Sequence, residues 1–390
     1  MSPRSLRFFI LVALLATAVD LGTYLILSTS FRWWAADVAA LSAAAVVGIS
    51  AHRRFTLRDD PNLRWIQRPS AFISSSVLAG LVDLGVLGLF DDRNWLAKAV
   101  AIAAAACVRA VSNRWILFSV VRGEQEQPAR RSAPTDPLRL SVVVPAYREQ
   151  ERIAGTVDRL HTHLARILPA ADFEILVVDD GSGDGTADAA DATGLARAIE
   201  LPENLGKGGA VRAGMLAANG RSRVFLDADL AYGPPEVIRI MSELEDGWDV
   251  AVGSRHDSRL MTHTGAGLVR DIGGRLVNLA TMVLLLGQYR DTQAGIKGFR
   301  SDVAELVFSS SRLNGFSFDI EIFHLVERWR LTLIEVPMTI AETERSTVKI
   351  FSDTAELFAD LGRIRRWSAR GEYREDKLPA LPAPNTAETH

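Results

Sequence analysis

The sequence predicts an α/β domain with a Rossmann-like, mostly parallel central sheet, preceded by an all-α bundle of four transmembrane helices. Three observations lead there. Four long apolar runs fill the first third of the chain, strand and helix patterns alternate from about residue 140 onward, and 390 residues exceed one ordinary domain. The mean hydropathy of +0.10 is high for a soluble protein and has its source in those runs. A formal net charge of -3 gives no global basic excess, which argues against nucleic acid as a partner. Cys107 is the single cysteine, so neither an intrachain disulfide nor a cysteine metal cage can form.

The runs Phe8–Ser28, Trp33–Ser50, Ser70–Phe90 and Leu96–Val121 each come near the ~20 residues a helix needs to cross ~30 Å of hydrocarbon. A cleaved leader is disfavoured for the first, because no small-residue cleavage site stands out and three more runs follow. Arg4 and Arg7 precede the first run, and His52, Arg53, Arg54, Arg58, Arg64 and Arg68 crowd the loop between the second and third. Arg122, Arg130 and Arg131 follow the fourth, whereas the opposite loops carry Arg32 on one and Asp91, Asp92 and Arg93 on the other. This bias predicts cytoplasmic termini in the cell membrane, with everything beyond Val121 in the cytoplasm.

The spans repeat internally. Val19-Asp20-Leu21-Gly22 returns as Val82-Asp83-Leu84-Gly85, and Ala51-His52-Arg53-Arg54-Phe55 has an echo in Ser112-Asn113-Arg114-Trp115, which implies two copies of a helical hairpin. Asp20, Asp83 and Arg109 fall inside apolar runs, where an unpaired charge is expensive, so they should face a protein interior or a polar cavity. Two readings are open for them, a path for a lipid headgroup and an Asp–Arg pairing that ties the bundle. Residues 1–121 thus form the membrane domain, and 122–137, rich in Gln, Pro, Arg and Ser, read as a linker with too little apolar content to pack. A second domain should occupy 138–370, and 371–390, ending in the Pro- and Ala-rich Pro379–His390, should be disordered.

In the second domain Leu140–Val144 reads as a strand, Glu149–Leu168 as a helix, Glu174–Val178 as a strand, and Arg223–Leu226 as a third strand. Binding groups in such a sheet gather at the carboxyl ends of the strands. Asp227-Ala228-Asp229 at a strand end would point alternate carboxylates the same way, toward one hard divalent cation. Asp179 and Asp180 can accept hydrogen bonds from a base and a ribose, with Gly181, Gly183 and Gly185 letting backbone come close. Gly206-Lys207-Gly208-Gly209, ahead of a helix from about Ala210, sets a cation and flexible backbone beside a phosphate. It lacks the spacing of a nucleotide triphosphatase loop. Gly253-Ser254-Arg255, then Arg270, Arg275 and Asn278, supply further cations and a helix that could meet a phosphate. The apolar Leu276–Leu286 suits either an interfacial helix or an ordinary core helix, and Phe351–Trp367 suits either a helix on anionic lipid or one packed on the domain.

Two resemblances follow from these motifs. Residues 5–121 resemble the GtrA-like four-helix membrane proteins associated with polyprenyl-linked sugars. Val144-Pro145-Ala146-Tyr147-Arg148-Glu149, Val177–Thr186, Asn204–Gly209, Asp227-Ala228-Asp229 and Asp291-Thr292-Gln293-Ala294-Gly295-Ile296-Lys297-Gly298-Phe299 come in the order of the family 2 glycosyltransferases. Among these they resemble the polyprenyl- and dolichyl-phosphate glucose and mannose synthases over about 139–350.

The resemblance implies a GT-A fold, a nucleotide-sugar donor, a polyprenyl phosphate acceptor at the bilayer, and Mg²⁺ or Mn²⁺ on Asp227 and Asp229. It implies that Pro145, Ala146, Tyr147 and Glu149 line the nucleoside pocket, that Asp180 contacts the nucleoside, and that Lys207 serves the donor. Arg270 and Arg275 would grip the acceptor phosphate, with Arg345 and Ser346 in a loop ordering over the phosphates. Arg255, Gln293 and Asp319 complete the catalytic set. Asp319 is expected to position sugar hydroxyls or a basic residue, since an acceptor phosphate ionised at neutral pH needs no strong base. Some mannose synthases carry a glutamine where this chain has Ala231, so water would fill that metal position. Asp291-Thr292-Gln293 is closer to the glucose synthases, which favours UDP-glucose over GDP-mannose. A processive polysaccharide synthase is disfavoured for want of a Gln-x-x-Arg-Trp motif and of spans after the domain. A catalytically silent transporter or scaffold for lipid-linked sugars is the rival of another class, and a homo-oligomer is left open.

Overall fold

The computed structural model of the chain describes residues 3–51, 54, 68–92, 94–254, 289, 294–338 and 350–373. Two units form, Met1–Val121 with Arg366–Glu372, and Arg122–Arg365 with Tyr373–His390. In the first, four helices follow one another, α1 (Pro3–Leu27), α2 (Trp33–Ala51), α3 (Pro69–Gly88) and α4 (Trp95–Gln125). Proline opens α3 at a position where its missing N–H costs nothing. Asn94 caps α4, its side-chain oxygen accepting the N–H groups of Leu96 at 3.0 Å and Ala97 at 3.2 Å. Helices α2, α3 and α4 are long and apolar enough to cross a membrane, and α1 contributes the shorter apolar stretch Leu11–Leu27. Ile26, Val46, Ile73 and Val111 stand 63 to 72% exposed, the inside-out pattern of a surface that meets lipid.

Each of these helices sends one charged side chain inward. Lys98 of α4, fully buried, lies 3.1 Å from Asp20 of α1 and 2.6 Å from Asp37 of α2, and bonds Asp83 of α3. The expected partner Arg109 is exposed instead, and the cation in contact with the three aspartates is Lys98. A lysine near a helix start reaches inward more compactly than an arginine a further three turns along. The repeated Val-Asp-Leu-Gly segments therefore do converge, on a cation that their own pattern did not identify.

The second unit holds a seven-stranded sheet in the order β3-β2-β1-β4-β6-β5-β7. Its strands are β1 (Leu138–Ala146), β2 (Phe173–Asp179), β3 (Arg197–Glu200), β4 (Gly220–Leu226), β5 (Val250–Ser254), β6 (Ile296–Arg300) and β7 (Leu333–Pro337). All neighbours are parallel except those of β6, which runs against β4 and β5. Leu140, Val142 and Val144 of β1 turn to one face, where Ile153, Val157 and Leu160 of α5 (Gln150–Leu164) and Val237, Ile240 and Met241 of α8 (Pro234–Glu245) cover them. The other face is aromatic. Phe225 and Phe299 stack at 6.5 Å between ring centres, with Phe308 of α9 (Ser301–Ser310) and Phe318 of α10 (Phe318–Arg328) beside them. The short α6 (Thr186–Asp191) follows β2, and α7 (Lys207–Ala217) lies so close to that second face that a Cβ on Gly214 would strike Val143 and Val178.

Residues 126–137, the part of the expected 122–137 linker that follows α4, make polar contacts. Arg131 forks onto Asp249, at 2.9 and 3.4 Å, and Asp136 takes Arg223 at 3.1 Å. Ile296–Phe299, quoted above among the family motifs, lies inside β6 and is wholly buried. Phe351–Trp367 falls in α11 (Ile350–Arg370), where Leu357, Asp360, Leu361 and Ile364 are buried.

Candidate active site

Because β1, β2 and β4 are parallel, Ala146, Asp179 and Leu226 reach the same edge of the sheet, and the strand order reverses there, with β2 on one side of β1 and β4 on the other. The antiparallel β6 brings its beginning to that edge, with Leu226 opposite Ile296. Asp227 is thereby set against Gly295, whose carbonyl accepts the Asp227 N–H at 3.2 Å. A Cβ on Gly295 would collide with the Asp227 carboxylate, so this approach requires glycine.

Asp227 and Asp229 do not alternate along a strand as expected, since β4 stops at Leu226 and the next residues turn, with Leu230 at φ 52. The turn still sets Ala228 inside and the two acids outside. The hydroxyl of Thr156 donates to the Ala228 carbonyl at 2.7 Å, and the Ala231 N–H donates to Asp229 at 2.9 Å. Ala231, which offers a metal no side chain, thus orients the second acid through its backbone. Two accessible carboxylates on one turn are a hard-oxygen donor set that fits Mg²⁺ or Mn²⁺.

Lys207, first residue of α7, extends its ammonium to within 2.5 Å of Asp227 Oδ1. Burial works against its charge, but Asp227, Asp319 and Asp229 outweigh burial and hold its pKa above the ordinary lysine value. The neighbouring glycines serve differently from the expected phosphate cradle. The N–H groups of Gly208 and Gly209 already donate to the Asn314 carbonyl, at 2.7 and 3.3 Å, which leaves the Lys207 ammonium as the cation this loop presents. A Cβ on Gly208 would come within 2.6 Å of Phe318, which is why the chain is bare there.

Asp179 and Asp180, expected at the base and ribose, are 1 and 3% exposed and hold loops. Asp179 accepts the N–H of Ser182 at 3.0 Å and also bonds its hydroxyl. The two oxygens of Asp180 accept the N–H groups of Leu205 and Gly206, each at 2.8 Å. They shape the walls on which Lys207 and the exposed Tyr147 stand. Tyr147 is 43% exposed with Arg148 5.2 Å over its ring, beside Pro145, Ala146 and Glu149 at the end of β1. The backbone N–H of Glu149 donates to Thr186 at 3.0 Å.

Asp319 opens α10 and is buried, bonded at 2.7 Å to Lys297. Burial raises its pKa, against the pull of Lys297 and Lys207. Lys297 is a residue that sequence reasoning missed as a site group. It is fully buried on β6, donates also to the Ala294 carbonyl at 2.7 Å, and lies 5.5 and 5.9 Å from the rings of Phe225 and Phe323. Its mark in the sequence is a lone cation amid Ala294-Gly295-Ile296 and Gly298-Phe299, a pattern that demands a buried partner. Arg255, Arg270, Arg275, Gln293, Arg345 and Ser346 lie outside the described residues. A cavity of about 320 Å³ at the opposite edge, lined by Arg131, Arg221, Glu245 and Arg300, holds none of these groups.

Comparison with known proteins matches residues 141–308 to the model of glycosyl transferase family 2 and residues 8–118 to that of the GtrA/DPMS transmembrane domain. A dolichyl-phosphate beta-glucosyltransferase of Drosophila melanogaster is 32% identical over 252 residues, which are 61% of this chain and 77% of that protein. The polyprenol monophosphomannose synthase of Mycolicibacterium smegmatis is 28% identical over 268 residues, 64% of this chain and 96% of that protein. A solved glucosyl-3-phosphoglycerate synthase of Mycobacterium tuberculosis, in complex with Mn²⁺, UDP and glucosyl-3-phosphoglycerate, aligns at 21% identity and a TM-score of 0.45, over 67% of this chain and 85% of that one.

Proposed function

We propose, from the premise that this chain belongs to glycosyl transferase family 2 and carries a GtrA/DPMS transmembrane domain, that it transfers glucose from UDP-glucose to a polyprenyl phosphate at the cytoplasmic face of the membrane. The observation that carries the transfer is the grouping of Asp227, Asp229 and Lys207 at the carboxyl edge of the sheet, where acids for a metal and a cation for a diphosphate share one place. The choice of glucose is supported by Asp291-Thr292-Gln293 and by the name of the Drosophila relative.

Asp227 and Asp229 would hold a divalent ion, which would supply charge neutralisation to the departing diphosphate. Tyr147 offers an aromatic face and Pro145 and Ala146 an apolar floor to the nucleoside, on walls braced by Asp179, Asp180 and the Glu149 backbone. Lys207 meets the donor phosphates. An oxygen of the acceptor phosphate attacks the anomeric carbon in line, the bond to the diphosphate oxygen breaks, and the configuration inverts. No proton has to leave the acceptor, so Asp319 with Lys297 acts as a fixed charge pair beside Lys207 rather than as a base. Arg255 and Gln293 are assigned to the reacting sugar and phosphates, and Arg270, Arg275, Arg345 and Ser346 to the acceptor phosphate. The membrane unit handles the lipid-linked product.

A panel of labelled nucleotide-sugars, offered with a short polyprenyl phosphate and Mg²⁺ or Mn²⁺, tests this. Labelled lipid is expected from UDP-glucose. Labelling from GDP-mannose alone would replace glucose by mannose, the second reading, which the Mycolicibacterium relative supports.

A further inference from the structure

The ammonium of Lys207 and the divalent ion of the proposed reaction would share the Asp227 carboxylate. Lys207 Nζ lies 2.5 Å from Asp227 Oδ1, so an ion held by that carboxylate would stand close to a like charge and be repelled by it. Asp229 and Asp319 act on that ammonium as well. Asp319 is anchored elsewhere, because buried Lys297 holds its Oδ1 at 2.7 Å and is itself fixed on the Ala294 carbonyl. Of the two lysines only Lys207 has somewhere to go, with 22% of its side chain exposed on a flexible four-carbon stem.

Charge balance makes the consequence directional. Three carboxylates against two ammonium groups leave this group with one net negative charge. A divalent ion arriving alone would reverse the sign and press directly on Lys207. A diphosphate arriving with it restores the negative excess and gives the ammonium a second anion to move to.

We propose that Lys207 is a built-in counter-cation that occupies Asp227 until a nucleoside diphosphate draws it away, so that metal and donor load the site together. The proposal rests on the metal-dependent transfer put forward above. Metal and diphosphate are then thermodynamically coupled, and the coupling passes through one side chain.

The test is a Mn²⁺ titration of the full chain in detergent, with free ion read by electron paramagnetic resonance, in the presence and absence of UDP. The wild type is expected to bind Mn²⁺ weakly alone and roughly ten- to a hundredfold more tightly with UDP. Lys207→Met and Lys207→Gln should bind Mn²⁺ alone about tenfold more tightly than wild type and gain much less from UDP. Lys207→Arg, which keeps the charge, should retain weak binding of the ion alone. If the uncharged variants bind Mn²⁺ alone no better than wild type and keep the full UDP enhancement, the counter-cation role is wrong while metal dependence stands. Absence of Mn²⁺ binding in wild type and variants alike, even with UDP, would overturn the metal-dependent transfer itself and the proposal with it.

Discussion

Gly295 shows how a residue without a side chain can fix the place of a carboxylate. It lies at the start of a strand that runs against its neighbours, and the space its missing Cβ leaves is filled by the Asp227 carboxylate. Gly295→Ala must displace either the β6 backbone or that carboxylate, and the carboxylate, half-exposed, is the easier to move. Displacements near 1 Å at a reacting centre cost about a hundredfold in rate. Sugar transfer by Gly295→Ala is therefore expected to fall about a hundredfold, with a stability loss of roughly 1–3 kcal/mol from overpacking. Transfer assays at saturating Mn²⁺ alongside thermal melts check this, and wild-type transfer would show that Asp227 does not need its observed place.

The elements that carry the site lean on one another through buried carboxylates. Glu321 of α10 accepts the N–H groups of Arg312 at 2.9 Å and Leu313 at 2.8 Å, and the hydroxyl of Tyr373 donates to it at 2.6 Å. The next residue, Asn314, receives the first N–H groups of α7, so the segment beyond α11 braces the loop that presents Lys207. Burial raises the Glu321 pKa, and the Tyr373 hydroxyl leads the hydrogen bonds that oppose it. A carboxyl raised in the folded state contributes stability below its unfolded value, about 4.3, and loses it as pH climbs through the folded value. Tyr373→Phe removes a bond to the ionised form and pushes that value higher. The variant should melt like wild type at about pH 4.5 and lose roughly 1–3 kcal/mol by about pH 8. A deficit that stays constant across that range would mean the hydroxyl does not act through the ionised Glu321.

Much at this scale was legible in the sequence. The β-branched runs at Leu140–Val144 and Glu174–Val178 become β1 and β2, because a strand buried on two faces needs no alternation. The antiparallel β6 was hidden, because Lys297 and Arg300 interrupt its apolar pattern and their partners, Asp319 and Asp302, come from helices later in the chain. Asp179 and Asp180 were legible as important and not as loop braces, since an Asp–Gly turn reads the same whether its carboxylates face ligand or backbone. Asp37 and Lys98, 61 residues apart, lie near helix ends, where sequence alone does not tell a snorkelling charge from a buried one.

At the scale of the whole molecule, the two units have separate cores. Tyr24, Ala36, Ala40, Leu87, Ala97 and Ala101 cluster in the first, and the sheet and its helices hold the other. Small alanines let helices approach closely but bury little area each, so the first unit depends heavily on the meeting of Asp20, Asp37 and Asp83 on Lys98. Removing one partner of a buried ion pair costs roughly 3–5 kcal/mol, because the charges left behind have neither water nor counter-ion. Lys98→Met leaves three carboxylates in that position. Such a chain in detergent should lose or sharply lower the thermal transition of the membrane unit while the transition of the catalytic unit, followed by its stabilisation with UDP, stays in place. Adding Asp20→Asn, Asp37→Asn and Asp83→Asn to Lys98→Met should recover much of the loss, since four neutral groups of similar size can pack where four charges did. If both transitions shift together in Lys98→Met, the units do not melt independently and the separation of their cores is not energetic; if the neutral quadruple variant recovers nothing, the cluster does more than balance charge.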